Sequence, residues 1–230
     1  MILCIETATG VCSVALCDDN SVISVLEAPA GMSHSSRLTV IIQELLRGAS
    51  VTPGQLDAVA VSKGPGSYTG LRIGVSVAKG IAYGAEIPLI GINTLTAMCH
   101  GYLTVNPLPE GSTTLLCPMI DARRMEVYNA LFKADGTIIR ETSADIITGA
   151  SYSDILESEK IIFFGNGAGK CRSAITASNA VFDEGFSLSA SYLHKPSVNA
   201  FRERQFEDVA YFEPYYLKEF IATIPKKLFL

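Results

Sequence analysis

The chain opens on three short apolar runs, at residues 2–8, 11–17 and 21–26. All three are rich in strand formers. Asp18, Asp19 and Asn20 separate the second run from the third and supply turn chemistry, which predicts a three-strand meander. The period then changes. Leu38, Ile41, Ile42, Leu45 and Leu46 recur at helical spacing and predict an amphipathic helix, with Ser33, Ser35 or Ser36 available as its N-cap. Beyond it, residues 56–62 read as a buried strand, 69–83 as a helix, 88–92 as a strand and 95–102 as a short helix.

An antiparallel meander followed by parallel crossovers is the order of a ribonuclease-H-like lobe. Asn106, Pro107, Pro109 and Gly111 break the pattern and mark the lobe boundary, giving a first lobe of residues 1–105 and a smaller second lobe of 106–230. The second lobe repeats the opening of the first. Residues 115–121 form an apolar strand ending in Asp121, as residues 2–6 end in Glu6. Residues 125–133 and 137–147 complete a second meander around the turn Ala134-Asp135-Gly136. A short helix at 153–158, a strand at 160–164 and a helix near 191–204 follow, so the second lobe is reduced. The expectation is an α/β protein of two ribonuclease-H-like lobes. This duplication resembles the actin/Hsp70/sugar-kinase superfamily, which holds nucleotide in the cleft between its halves.

Hydrophobic residues make up 48% of the 230 and charged residues 18%, with a mean hydropathy of +0.30. Such apolarity raises the question of a membrane span, but Arg72 and Lys79 interrupt the stretch from 71 to 85, and no run reaches about 20 apolar residues. The first residues have no basic region and meet Glu6 at once, unlike a secretory signal. A cytoplasmic protein without membrane attachment is expected. The net charge of −5 and the lack of any basic run argue against autonomous nucleic-acid binding. The six cysteines form no CxxC pair, and they read as small buried hydrophobes in a reducing compartment.

The segment Gly64-Pro65-Gly66-Ser67-Tyr68-Thr69-Gly70 joins a strand to a helix. Its glycines allow close backbone approach, and a helix start favours an anion, so phosphate is one candidate ligand. It lacks both the Lys-Ser/Thr ending of a P-loop and the GxGxxG pattern, and a tight turn with steric glycines is the favoured alternative. Residues that could touch nucleotide are Glu6, Gly64, Gly66, Ser67 and Asp121. In the helix that follows, Gly70, Gly74 and Ala78 make one small-residue face, and Gly80 and Gly84 another. Glycine inside a helix costs about 1 kcal/mol relative to alanine, so each face implies close packing, either within the lobe or against a partner.

Five segments together resemble the bacterial TsaB (YeaZ) family: residues 2–7, His34-Ser35-Ser36-Arg37-Leu38, GPGSYTGLRIG at 64–74, DARRMEVY at 121–128, and Pro214-Tyr215-Tyr216-Leu217-Lys218. Lys218 stands where that family usually has arginine. The resemblance implies a non-catalytic subunit in the formation of threonylcarbamoyladenosine at position 37 of tRNAs reading ANN codons. It implies pairing with the catalytic paralogue TsaD, association with the ATPase TsaE, homodimers when alone, and only indirect contact with tRNA. The implied partner surface comprises His34, Leu38, Ile41, Ile42, Leu45, Arg72, Gly74 and Ala78.

TsaD carries a metal-binding His-x-x-x-His motif, and Thr94 and Met98 occupy the matching positions here. Neither suits a divalent ion. His100 has no histidine four residues on. The second-lobe hairpin at Asp121 contains no glycine, and Gly165-Asn166-Gly167-Ala168-Gly169 reads as a turn. No GxSxG, HExxH or Ser-His-Asp spacing supports peptidase chemistry. A resident cofactor is not expected, and the one place left open to nucleotide is the face shared with the catalytic partner. The alternative is an ATP-binding enzyme, either a small-molecule kinase or the M22 glycoprotease of older descriptions.

Overall fold

The computed structural model describes residues 1–29 and 33–218. The hydrophobic C-terminal residues 221–230, whose role the sequence does not give, lie outside the described residues. In the first lobe, β1 (Ile2–Glu6), β2 (Ser13–Cys17) and β3 (Val22–Glu27) form the expected meander. Then come α1 (His34–Gly48), β4 (Ala58–Gly64), α2 (Tyr68–Ala85), β5 (Leu89–Asn93) and α3 (Thr94–Val105). The second lobe contains β6 (Leu115–Asp121), β7 (Glu126–Phe132), β8 (Ile138–Ile146), α4 (Ser153–Leu156), β9 (Ile161–Phe164) and β10 (Ala180–Asp183), and the last helix is α5 (His194–Arg202).

The two sheets have one topology. Their orders are β3-β2-β1-β4-β5 and β8-β7-β6-β9-β10, so β6 repeats β1 and each later strand repeats its counterpart. In both, the central strand pairs antiparallel with the meander and parallel with the strand after the crossover. β1 is buried along its whole length, because helices cover both faces, which is why it reads as a continuous apolar run. β10 was not expected from the sequence. It has four residues, none of them fully buried, and carries no clear period.

Helix α1 lays Leu38, Ile41, Ile42, Leu45 and Leu46 into the first core, against Val14, Leu16, Val75 and Ala78. Ser33 is its N-cap residue, although the Ser33 hydroxyl bonds to Ser35 Oγ and makes no cap bond. On the sheet's other face, Ala190, Leu193 and Val198 pack on Cys4, Ala15, Ala60 and Ile90. The chain therefore returns from the second lobe to close the first. Helix α3 joins the lobes: Leu95, Met98, Cys99 and Tyr102 pack with Leu116, Ile120, Phe132 and Phe164 of the second sheet. Asn93 caps α3 through Leu95 N and Thr96 N, and its amide donates to Thr142 Oγ1 on β8. All six cysteines are buried and free.

Candidate functional site

A cavity of about 640 Å³ opens between the lobes. The β1–β2 loop (Ala8, Thr9, Gly10), His34, the glycine loop (Gly66, Ser67) and Asp121, Arg123 and Asn166 of the second lobe contribute to its walls. Residues 215–218 close one side.

The glycine loop is shaped by what presses on it. A Cβ on Gly66 would meet Ala8 O at 2.4 Å, one on Gly70 would meet Thr7 O at 2.1 Å, and one on Gly74 would meet Thr7 Oγ1 at 2.2 Å. Ser67 N donates to Ala8 O at 2.7 Å, and Thr7 Oγ1 donates to Gly70 O at 2.8 Å. Gly64, at φ +118, faces Tyr215 O, which a Cβ would meet at 2.5 Å. Ser67 caps α2 by accepting from Gly70 N. The glycines thus seat the β1–β2 loop and the 215–218 segment, and the steric reading accounts for each of them. The second lobe repeats the device. Gly167 N donates to Met119 O, and a Cβ on Gly167 would meet the Ile120–Asp121 peptide at 2.8–2.9 Å.

Of the residues singled out for nucleotide, Gly66, Ser67 and Asp121 line the cleft and Gly64 and Glu6 do not. Glu6 is fully buried. Its carboxylate accepts from Ala8 N at 2.6 Å and from the Ser62 hydroxyl. Burial pushes its pKa up to about 7, against those bonds and one from Thr7 N. Glu6 therefore does not share the cleft with Asp121, and folds back to brace its own loop. Asp121 pairs with Lys170 and accepts from Arg123 N at 2.9 Å. Burial acts to raise its pKa, but the Lys170 and Arg123 contacts prevail and hold it below the usual carboxylate range.

The hairpin after Asp121 turns through Arg123 (φ +71) and Arg124 (φ +50). Left-handed backbone costs an ordinary side chain about 1 kcal/mol or more per residue. A phosphate loop would place glycine here, and the residues present do not fit that role. The metal positions do not fit either. Thr94 is buried with an unpartnered hydroxyl, and the Met98 methyl packs against Gly165. Among the described residues, no group of three His, Cys, Asp or Glu side chains could hold a metal. The three histidines do other work. His34 Nε2 lies 3.0 Å from Val11 O, His194 Nε2 lies 2.9 Å from Asp18 O, and His100 packs over Gly136.

Sequence reasoning missed the strap of residues 207–218. Glu207 pairs with Lys63, and Lys79 donates to Ala210 O and Phe212 O. Tyr215 N donates to Lys63 O, and Tyr216 packs on Tyr68 with ring centroids 4.7 Å apart. Lys218 then crosses to Glu126 of the second lobe. The aromatic Pro214-Tyr215-Tyr216 run was the available signal, since exposed loops seldom carry so much ring area.

Of the residues expected at a partner surface, Ile42 lines the outer groove between α1 and α2 and the others lie elsewhere. Leu38, Ile41, Leu45 and Ala78 are fully or nearly fully buried in the lobe's own core, and Gly74 abuts Thr7. His34 lines the cleft, and Arg72 lies over the Tyr68 ring. The open face of the helix pair is the opposite one. There Thr39, Gln43, Leu46, Val77, Gly80 and Ile81 line a groove of about 660 Å³, with Ile42 at its floor.

Residues 27–214 match the family model of TsaD, tRNA N6-adenosine threonylcarbamoyltransferase. The chain is 41% identical over 134 residues to the tRNA threonylcarbamoyladenosine biosynthesis protein TsaB of Escherichia coli (strain K12), covering 58% of this chain and 55% of that protein. It is 29% identical over 224 residues to TsaB of Bacillus subtilis (strain 168), covering 94% and 93%. The chain belongs to the TsaB (YeaZ) branch of this family. It spans about half the length of the Escherichia coli TsaB and nearly all of the Bacillus subtilis one. A Pseudomonas aeruginosa protein described as similar to peptidase YEAZ superposes with a TM-score of 0.81 at 23% identity, covering 94% of this chain and 99% of that one. That likeness shows a shared fold over 94% of this chain. Among the described residues, no helix is long and apolar enough to cross a membrane.

Proposed function

We propose that this chain is a cytoplasmic, non-catalytic subunit of the machinery that forms threonylcarbamoyladenosine on tRNA, and that it works by docking to the catalytic paralogue. The observation that carries this reading is the use of the cleft. Glu6 and the glycine loop, which would serve nucleotide in a working enzyme, are spent on packing, Met98 packs where that enzyme would have a metal-binding histidine, and the strap fills one wall. The relatives' names supply the pathway.

Docking is assigned to the outer groove of α1 and α2. Its lining is mainly apolar, and Gly80 has open space above it, so another helix can approach closely. The same face would support a homodimer when the catalytic subunit is missing, and the ATPase subunit would join the assembled pair.

The test is reconstitution of purified catalytic paralogue, ATPase and tRNA, with and without this chain, scored for modified adenosine. Modification should require the chain, and undiminished modification without it would sink the proposal. The enzyme reading rests on the cleft itself. Calorimetry with ATP and magnesium separates the two: tight binding and turnover by the isolated chain would favour the enzyme.

A further inference from the structure

The hairpin Asp121-Ala122-Arg123-Arg124-Met125-Glu126 is balanced in charge as a sequence, with two carboxylates and two guanidinium groups. The structure does not pair it that way. Asp121 takes the Lys170 ammonium, and Glu126 takes the Lys218 ammonium. Both flanking carboxylates are thus neutralised by lysines from the glycine turn and the strap. Among the described residues, neither Arg123 nor Arg124 has an ion-pair partner. With Lys170 and Lys218 counted, cations outnumber carboxylates here, and the tip is net positive in a chain whose net charge is −5.

Both arginines are exposed, and both hold a positive φ that turn chemistry gives to glycine or asparagine. Arginine does nothing for this turn's backbone. What the turn keeps is a pair of exposed arginines, with Arg123 also lining the cleft.

From this we infer that the Arg123–Arg124 tip is a contact surface for the phosphate backbone of RNA, supplementing the catalytic subunit's hold on its substrate; the inference rests on the tRNA reading above. The phosphates of a small nucleotide are cradled by converging backbone N–H groups, which this tip does not form. Long, exposed cations on an outward turn suit a repeating polyanion met from outside. Two such contacts give too little affinity for the chain to bind RNA alone, in keeping with its acidic composition.

The experiment uses the complex of this chain with its catalytic paralogue and a fluorescently labelled, unmodified tRNA, titrated from about 50 to about 200 mM salt. The double variant Arg123→Asn/Arg124→Gly suits the turn, so its thermal midpoint should match or exceed wild type. Its Kd for tRNA should rise about 10-fold near physiological salt, and the salt slope should become shallower by about 2. Arg123→Lys/Arg124→Lys should keep the slope, and Arg172→Asn, elsewhere on the second lobe, should change nothing.

An unchanged Kd and slope in the double variant would overturn the inference, as would an equal loss in Arg172→Asn. A loss of affinity for ATP or inorganic phosphate with tRNA binding intact would also overturn it, by marking a small-anion site. Failure of the tRNA reading itself looks different: the wild-type complex would form no modified adenosine, whatever the variant binds.

Discussion

Met98 of the first lobe and Gly165 of the second lie in direct contact: a Cβ added to Gly165 would meet the Met98 methyl at 2.4 Å and Met119 O at 2.6 Å. The methionine could swing aside, but the carbonyl belongs to β6 and cannot. Gly165 also holds φ +96. Gly165→Ala should therefore destabilise the fold by about 2–3 kcal/mol in urea unfolding. Met98→Ala should cost about 2–3 kcal/mol through the cavity it leaves. A loss under 0.5 kcal/mol in both would show that α3 does not hold the lobes together.

The two small-residue faces of α2 separate fold from docking. Gly74→Arg drives a side chain into Thr7 and should give insoluble or unfolded protein, so it says nothing about a partner. Gly80→Arg enters open space and should leave the thermal midpoint within a few degrees of wild type. It should nevertheless weaken association with the catalytic paralogue by at least 10-fold in size exclusion or interferometry. Unchanged association would move the interface off this groove.

Much of the architecture was legible because it rests on period. Short apolar runs at the first three strands, the shift to helical spacing at Leu38, and the repeat of an apolar strand ending in Asp121 led to the duplicated lobes. Spacing gives a face, however, and not what covers it. Gly70, Gly74 and Ala78 mark a close approach, and only the three-dimensional path of the β1–β2 loop shows that Thr7 makes it. Glu6 ends a strand as a catalytic carboxylate would, yet it turns inward and accepts from Ala8 N and the Ser62 hydroxyl, partners that strand spacing does not reveal. The strap escaped notice because its hold depends on Lys63 O, Lys79 and Glu126, which are far apart in sequence.

The strap should respond to changes at both of its anchors. Lys218→Glu places a carboxylate against Glu126 and should speed proteolytic cleavage within 207–218 severalfold, and Glu126→Lys/Lys218→Glu should restore resistance. Both side chains are partly exposed, so the coupling energy should be only about 0.5–1 kcal/mol. Gly64→Ala, which meets Tyr215 O, should release the strap more completely. Equal cleavage rates in all four proteins would show that the segment is not held.

Glu6 makes stability depend on pH with a definite sign. Its carboxyl titrates near 4.5 when unfolded and near 7 in the fold, because burial disfavours the charged form. Between those values the folded protein binds more protons than the unfolded chain, so stability falls as pH rises. The contribution is fully present below pH 4.5, declines through pH 7 and is gone above it. The pKa difference corresponds to something on the order of 3 kcal/mol. Glu6→Gln removes the titrating group while keeping an acceptor for Ala8 N, and Ser62 can rotate its hydroxyl to accept from the new amide. Subtracting the two stability curves, measured by urea unfolding from pH 5 to 8, cancels the other titrating groups. Wild type should lose stability relative to Glu6→Gln across that window, and a flat difference would place the Glu6 carboxyl back in the ordinary range.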